Sequence, residues 1–253
     1  MDPTKKYRFI YKCYYNINMI KILLVVVFFT NFLIAGAPPV DDKPLPPPPY
    51  TINKIKQLTI SLNWEKESVE GLLEKDFQYN DELSGGITIL NSKEKQDFAP
   101  FSGAFFWIDG KEDKDGIHIF FSTYGPNKLI NRIMNRIYNI NTSMGSNKVT
   151  MMNNNASART NIRKKNVVSL SAKMTDDCVS RKGNIKIMNT SNKSISIKNY
   201  FSWQSKKVCD ANINSINLNG ELKKYKIKKV RWAKTYEDMT MVFKNPLKIA
   251  KTN

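Results

Sequence analysis

The side chains that carry most enzymatic chemistry are scarce in this chain. His118 is the single histidine among 253 residues, so a Ser-His-Asp or Cys-His triad would have to be built on it. It sits in Ile117-His118-Ile119-Phe120. That alternation turns it away from its two isoleucine neighbours, as an outward-facing or hydrogen-bonded structural residue. Of the three cysteines, Cys13 falls in or before an N-terminal leader, which leaves Cys178 and Cys209. One histidine and two cysteines make a multi-ligand zinc site an unpromising reading. Asp109, Glu112, Asp113 and Asp115 offer the oxygen ligands calcium needs. The interleaved Lys111 and Lys114, and a spacing unlike an EF-hand, read instead as a solvated hairpin tip. No metal or cofactor is expected.

Charge is the loudest compositional feature. Forty basic against 22 acidic residues give a formal charge of +18, which favours acidic partners and solubility. The basic residues are 33 Lys and only 7 Arg, beside 28 Asn. Arg is the residue suited to bidentate phosphate and base recognition, so a compositional bias toward AT-rich codons accounts for the charge better than a specific nucleic-acid surface. The best polyanion-binding candidate is Tyr225 to Trp232. There Lys224, Lys226, Lys228 and Arg231 alternate with Tyr225, Ile227, Val230 and Trp232, which are expected on the core side.

The N-terminus carries Lys5, Lys6, Arg8, Lys12 and Lys21, then an apolar run from Ile22 to Ala37 that ends in Ala35-Gly36-Ala37. A basic region, a short apolar region and a small-x-small end describe a secretory signal peptide over residues 1–37, with Met19 as an alternative start. Pro38 fits poorly after a scissile bond, and an uncleaved N-terminal anchor is the other reading; through it alone would the chain touch a membrane. Seven prolines in Pro38–Pro49 make an extended spacer. Export to the periplasm or beyond makes a Cys178–Cys209 disulfide reasonable, with buried thiols as the alternative.

From residue 50 to 253 the pattern predicts one domain, α+β but β-rich, with a closed or barrel-like antiparallel sheet and few helices. Lys56–Trp64 alternates through Leu58, Ile60, Leu62 and Trp64; Gly86–Leu90, Gly103–Ile108 and Gly116–Thr123 follow as strands. Val167–Met174, Gly183–Met188, Ser194–Trp203, Lys223–Lys234 and Met239–Phe243 complete the set. Helices are predicted at Ser68–Lys75 and, more clearly, at Asn127–Ile140, where Asn127 is the cap and Leu129, Ile130, Ile133, Met134 and Ile137 form one face. Asn139–Lys165 reads as strand plus a long polar loop.

The order of these elements, with a few local motifs, resembles the acetoacetate decarboxylase-like superfamily over roughly Leu58–Phe243. The carriers are Val69-Glu70-Gly71-Leu72-Leu73, Phe98-Ala99-Pro100-Phe101-Ser102-Gly103-Ala104-Phe105, the strand to Tyr124-Gly125, the helix at Asn127, Gly145-Ser146-Asn147-Lys148-Val149, and Val230-Arg231-Trp232-Ala233 through Val242-Phe243. The resemblance implies a β-barrel-like cone around a hydrophobic cavity, with Phe101, Gly103, Phe105 and Val149 as cavity residues. It places Lys148 where the family has a Schiff-base lysine, whose amine must be held neutral by burial or a neighbouring cation; acetoacetate decarboxylase is the standard example of that principle. The departures from the family are Val149 in place of a second lysine, Asn147 in place of the turn proline, and Gly103 in place of the active-site glutamate. The resulting expectation is an exported protein that binds a small apolar or carboxylate ligand without the full decarboxylase machinery; whether it is an enzyme is left open by the residues, with an acetoacetate decarboxylase-like lyase as the activity if it is one. The alternatives are a divergent decarboxylase acting through Lys148 and a cationic surface interaction protein. A homo-oligomer is compatible with all three.

Overall fold

The computed structural model describes residues 44–73, 77–94, 100–111, 116–125, 127–190 and 195–250. The leader, the first half of the proline-rich spacer, and the tip acids Glu112, Asp113 and Asp115 lie outside the described residues. Leu45–Asn253 forms one compact unit.

Strand β1 (Tyr50–Trp64) shows why the fold is a closed sheet. From Gln57 onward every residue to Trp64 is buried, on both faces. Leu58, Ile60, Leu62 and Trp64 point one way and Gln57, Thr59, Ser61 and Asn63 the other, as the two-residue period demands. Burial of the polar set means that something closes over that face too.

The closure is a ring. β1 pairs with β10 (Ile227–Phe243) on one side and β2 (Ser84–Ser92) on the other. β2 continues to β3 (Ser102–Asp109) and β3 to β4 (Ile117–Gly125), all antiparallel. β10 also pairs with β9 (Ile195–Leu218), and β9 with β8 (Lys165–Thr190). β8 meets β4 through one parallel pair, Ile117 with Ile187, which completes the circuit. Irregularities in the β8–β9 pairing after Ser171, Met174 and Val179 bend this 26-residue strand, so it serves the ring at one end and a second layer at the other. That second layer is β6 (Ser146–Met152) and β7 (Asn155–Ile162), joined to the first half of β8. It covers the outer face of β1–β3: Val149, Ala156, Ala158 and Leu170 share one apolar core with Leu58, Ile60, Leu62, Ile87, Ile89 and Phe106. The short β5 (Ser143–Met144) runs parallel to β4, and β11 (Leu247–Ala250) edges β9.

Helix α1 (Lys66–Val69) and a 3-10 turn at Glu70–Leu72 stand where the Ser68–Lys75 helix is predicted. Helix α2 (Lys128–Arg136) is capped as its sequence indicates, with Asn127 Oδ1 accepting from the Leu129 amide at 2.8 Å. It is shorter than the predicted Asn127–Ile140. Asn139 adopts a left-handed φ of 52° just beyond it, and Asn135 Nδ2 donates back to the Asn131 carbonyl. Ile130, Ile133 and Met134 pack with Tyr138, Phe101, Tyr124, Phe201 and Phe243 at one end of the ring.

Three sequence readings are corrected. The polar stretch from Asn139 to Lys165 is mostly the β6–β7 hairpin, turned by Asn153 and Asn154 with φ of 50° and 58°, the left-handed pair of a tight hairpin turn. Val167–Met174 and Gly183–Met188 are one strand, as are Lys223–Lys234 and Met239–Phe243 from Ile227 onward; bulges interrupt the alternation without ending the ladder. Val230 and Trp232, expected in the core, are 37% and 42% exposed. There β10 pairs only with β1, because its ladder with β9 begins at Ala233.

Candidate ligand-binding site

Following the inner face of the ring strand by strand leads to a half-open chamber of about 260 Å³. Every strand of the ring contributes to its wall: Gln57 and Thr59 from β1, Thr88 from β2, Phe105 and Trp107 from β3, Ile117 from β4, Asn184 and Ile185 from β8, Trp203 from β9, and Trp232, Tyr236, Met239 and Met241 from β10. The register explains the grouping. Thr59 is paired with Thr88, Thr88 with Phe105, and Gln57 with Tyr236. These same-face neighbours form a polar wall on β1–β2 beside aromatic walls on β3, β9 and β10.

The polar wall is a connected ladder. Gln57 Nε2 donates to Thr59 Oγ1 at 2.8 Å, and the Thr59 and Thr88 hydroxyls lie 3.0 Å apart. Gln57 Oε1 has no hydrogen-bond partner, although Gln57 is only 7% exposed. A buried acceptor without a donor is costly, and here it belongs to a chamber-lining side chain. The aromatic walls hold Phe105 and Trp107 with ring centroids 5.7 Å apart, and Trp203 edge-on to Tyr236 at 5.4 Å. Gly86 makes room for Trp107: a Cβ there would stand 2.5 Å from the indole and 2.2 Å from the Ile60 carbonyl oxygen. Burial pushes the Tyr236 hydroxyl up to about 12, with the positive charge of Arg181 opposing and Asp210 adding to the effect, so it stays neutral and protonated. Among the described residues, no Asp, Glu, Lys, Arg or His lines the chamber.

Trp107, Ile117, Asn184, Ile185 and Trp232 also line a wider, open recess of about 880 Å³, which makes it the vestibule of the chamber. Its rim is ionic: Lys111, Lys186, Arg231 and Lys244 with Asp109. Asp109 accepts from Trp107 Nε1 at 3.2 Å and lies 3.6 Å from an Arg231 nitrogen. The ring is held at this side by the single β4–β8 pair.

Neither a family model nor a curated protein sequence matches the chain. Solved structures do. Acetoacetate decarboxylase from Legionella pneumophila superposes with a TM-score of 0.66 at 11% identity, over 85% of this chain and 92% of that one. The enduracididine biosynthesis enzyme MppR complexed with pyruvate gives 0.66 at 7% identity, over 84% and 94%. An acetoacetate decarboxylase-like enzyme from Sphingomonas wittichii gives 0.53 at 12%, over 84% and 95%. The chain has the acetoacetate decarboxylase-like fold. The superfamily resemblance drawn from element order thus has a structural counterpart across most of the molecule.

Within this decarboxylase-like ring the residues singled out by the resemblance separate. Lys148 is exposed: on β6 the alternation buries Asn147 and Val149 and turns Lys148 to solvent. Asn147 accepts from the Thr123 hydroxyl at 3.0 Å, and the Val149 amide donates to Asn91 Oδ1 at 2.6 Å, which fixes that register. Lys148, which the resemblance places at the Schiff-base position, thus stands on the outer layer. The four cavity residues do not share one cavity either. Phe105 lines the chamber. Phe101 packs toward α2 with Tyr124 and Phe243, and Gly103 lies beneath the Tyr124 ring, where a Cβ would come within 2.8 Å. Val149 sits across the ring wall in the outer core.

His118 is buried with its ring 5.3 Å from that of Phe77, away from the chamber. Cys178 and Cys209 are bonded, each the other's partner across β8 and β9. Among the described residues no cluster of His, Cys, Asp and Glu is grouped to hold a metal.

Sequence reasoning missed Gln57, Thr59, Thr88, Trp107, Trp203 and Tyr236. One signal was present. In a chain with 33 lysines, the off-face of β1 reads Gln57, Thr59, Ser61, Asn63 without a single charge. Neutral polar residues at every second position mark a face that is shielded and hydrogen-bonded rather than solvated.

Proposed function

We propose that this chain is an exported acetoacetate decarboxylase-like protein that holds a small organic molecule in the ring chamber and does not form a Schiff base there. The observation that carries this reading is the chamber lining: neutral polar, aliphatic and aromatic side chains, with no amine among the described residues to condense with a ketone. The exposed Lys148 supports it, because the amine chemistry of this fold needs a lysine kept neutral by its surroundings. Export draws its support from the leader sequence and from the Cys178–Cys209 bond, which suits an oxidising compartment.

Borohydride reduction in the presence of acetoacetate, read by intact mass, tests the proposal. The expected result is no covalent addition. An adduct that disappears in Lys148→Ala, or that maps to any other single lysine, would overturn it in favour of a Schiff-base decarboxylase.

One observation favours a second reading, a surface that docks polyanions. Residues Lys228, Lys229, Val230, Arg231 and Trp232 are all exposed on the part of β10 that has a single sheet neighbour. Binding to an anionic polymer that falls steeply with rising salt, and falls again in Lys228→Ala/Arg231→Ala, would establish that activity. No binding at low salt would remove it.

A further inference from the structure

We infer that the outward face of the second layer is a docking surface for an anionic polysaccharide. The surface lies apart from the chamber and from the cationic stretch of β10, and it adds an interaction to the proposed function.

The pairing register lays this face out as a grid across β6, β7, β8 and β9. Lys148 on β6 stands directly opposite Arg159 on β7. In the next outward row Thr150, Ser157, Ser171 and Ser215 cross all four strands as a line of hydroxyls. One row further, Lys173 stands on β8 between Asn155 and Asn212. The intervening row, with Val149, Ala158 and Leu170, points into the outer core. Lys148, Arg159 and Lys173 are all exposed.

The charge on this face is left unbalanced. Like charges directly opposite each other on neighbouring strands are destabilising, yet Lys148 faces Arg159. Among the described residues no carboxylate forms an ion pair with Lys148, Arg159 or Lys173. Elsewhere the chain neutralises such positions in register: Lys207 faces Glu237 at 3.1 Å and Lys234 faces Asp210 at 3.4 Å across β9 and β10. The deficit is written in the sequence. Residues 116–175 hold nine Lys and Arg, three on α2 and six from Lys148 to Lys173, and no Asp or Glu. The first acid along β8, Asp176, follows Lys173 and accepts from Asn154 Nδ2 at 2.7 Å. An external anion is therefore the complement of this face.

The side chains also select the kind of anion. At ideal sheet spacing Lys148 and Lys173, two strands and four residues apart, are roughly 17 Å from each other, so a polymer rather than one small ion bridges them. Ammonium, guanidinium, hydroxyl and amide groups suit sulfate or carboxylate oxygens and sugar hydroxyls. Nucleic acid is held by stacking aromatics and by arginine forks; the outward rows carry no aromatic residue and only Arg159. A membrane surface calls for a set of apolar anchors, and here only Met152 is exposed.

The test measures binding of the full chain by calorimetry to dextran sulfate, to uncharged dextran and to mixed-sequence single-stranded DNA at matched charge. Dextran sulfate is expected to bind, with affinity falling as salt rises. Dextran is expected not to bind, and DNA to bind at least about fivefold more weakly. The triple variant Lys148→Gln/Arg159→Gln/Lys173→Gln is expected to lose about tenfold in affinity for dextran sulfate, against less than about twofold for Lys228→Gln/Arg231→Gln on β10. Its melting midpoint is expected to stay level or rise, because the opposed pair is gone. No binding of dextran sulfate at low salt overturns the inference. So does a loss in the triple variant no larger than that in the β10 variant, and so does DNA binding as tight as dextran sulfate. None of these results bears on the chamber, which the borohydride experiment tests separately.

Discussion

Replacing Cys178 and Cys209 together by alanine removes the one covalent tie between strands of the ring. The two residues lie opposite each other on β8 and β9, with Cα atoms 4.2 Å apart and 31 positions of chain between them. Closing a loop of that length in the unfolded chain costs conformational entropy, worth about 3.7 kcal/mol at 25 °C by the chain-entropy relation. Cys209 is also buried in the outer core, so truncation adds a small packing loss to the same sign. For a unit of about this size each kcal/mol moves the melting midpoint by about 2–4 °C, so the expected drop is roughly 7–15 °C. Scanning calorimetry of the oxidised protein, the protein under reductant and the double variant measures it, with the last two expected to agree. A drop below about 2 °C in both would refute the reasoning, because the bond would then be constraining nothing that the β8–β9 ladder does not already hold.

Other perturbations probe the two cores and the chamber. Phe106 is fully buried, stacked 5.7 Å from Trp64 and 4.9 Å from Phe121, so Phe106→Ala is expected to cost about 3–5 kcal/mol in a urea unfolding titration. A loss under about 1 kcal/mol would mean that the outer core is not packed as described. At high pH stability is expected to fall. Tyr236 ionises near 10 in the unfolded chain and is pushed up to about 12 in the fold. Its contribution is complete below pH 10 and is lost as pH rises from 10 through 12, about 2.7 kcal/mol in all. Tyr124 and Tyr138 are raised in the same direction by burial and steepen the decline. Denaturant midpoints from pH 9 to 12 measure this, and Tyr236→Phe is expected to flatten the slope; an unchanged slope would contradict it.

How much of this was legible in the sequence differs between the two faces of the sheet. The apolar face of β1, the Asn127 cap and the apolar face of α2 follow from residue period and cap chemistry alone, and the structure places them accordingly. Element order was enough to suggest the fold. The hairpin of β6 and β7 was not legible, because its strands are polar on the exposed side and the next turn, which joins β7 to β8, uses Arg163 and Lys164 in left-handed conformations that such residues seldom signal. Nor was the chamber. Its lining comes from seven strands spread from Gln57 to Met241, and only ring closure brings them to one face. Motif alignment picked out Lys148, but the side to which a strand residue points is fixed by pairing register, and one residue of offset separates solvent from core.

A crystal structure of the protein grown with indole tests the central claim most directly, because the account depends on a ring-enclosed space that receives a neutral guest. The expected result is planar density among Phe105, Trp107, Trp203 and Tyr236. A lumen filled by the protein's own side chains, or indole bound only outside the ring, would contradict it.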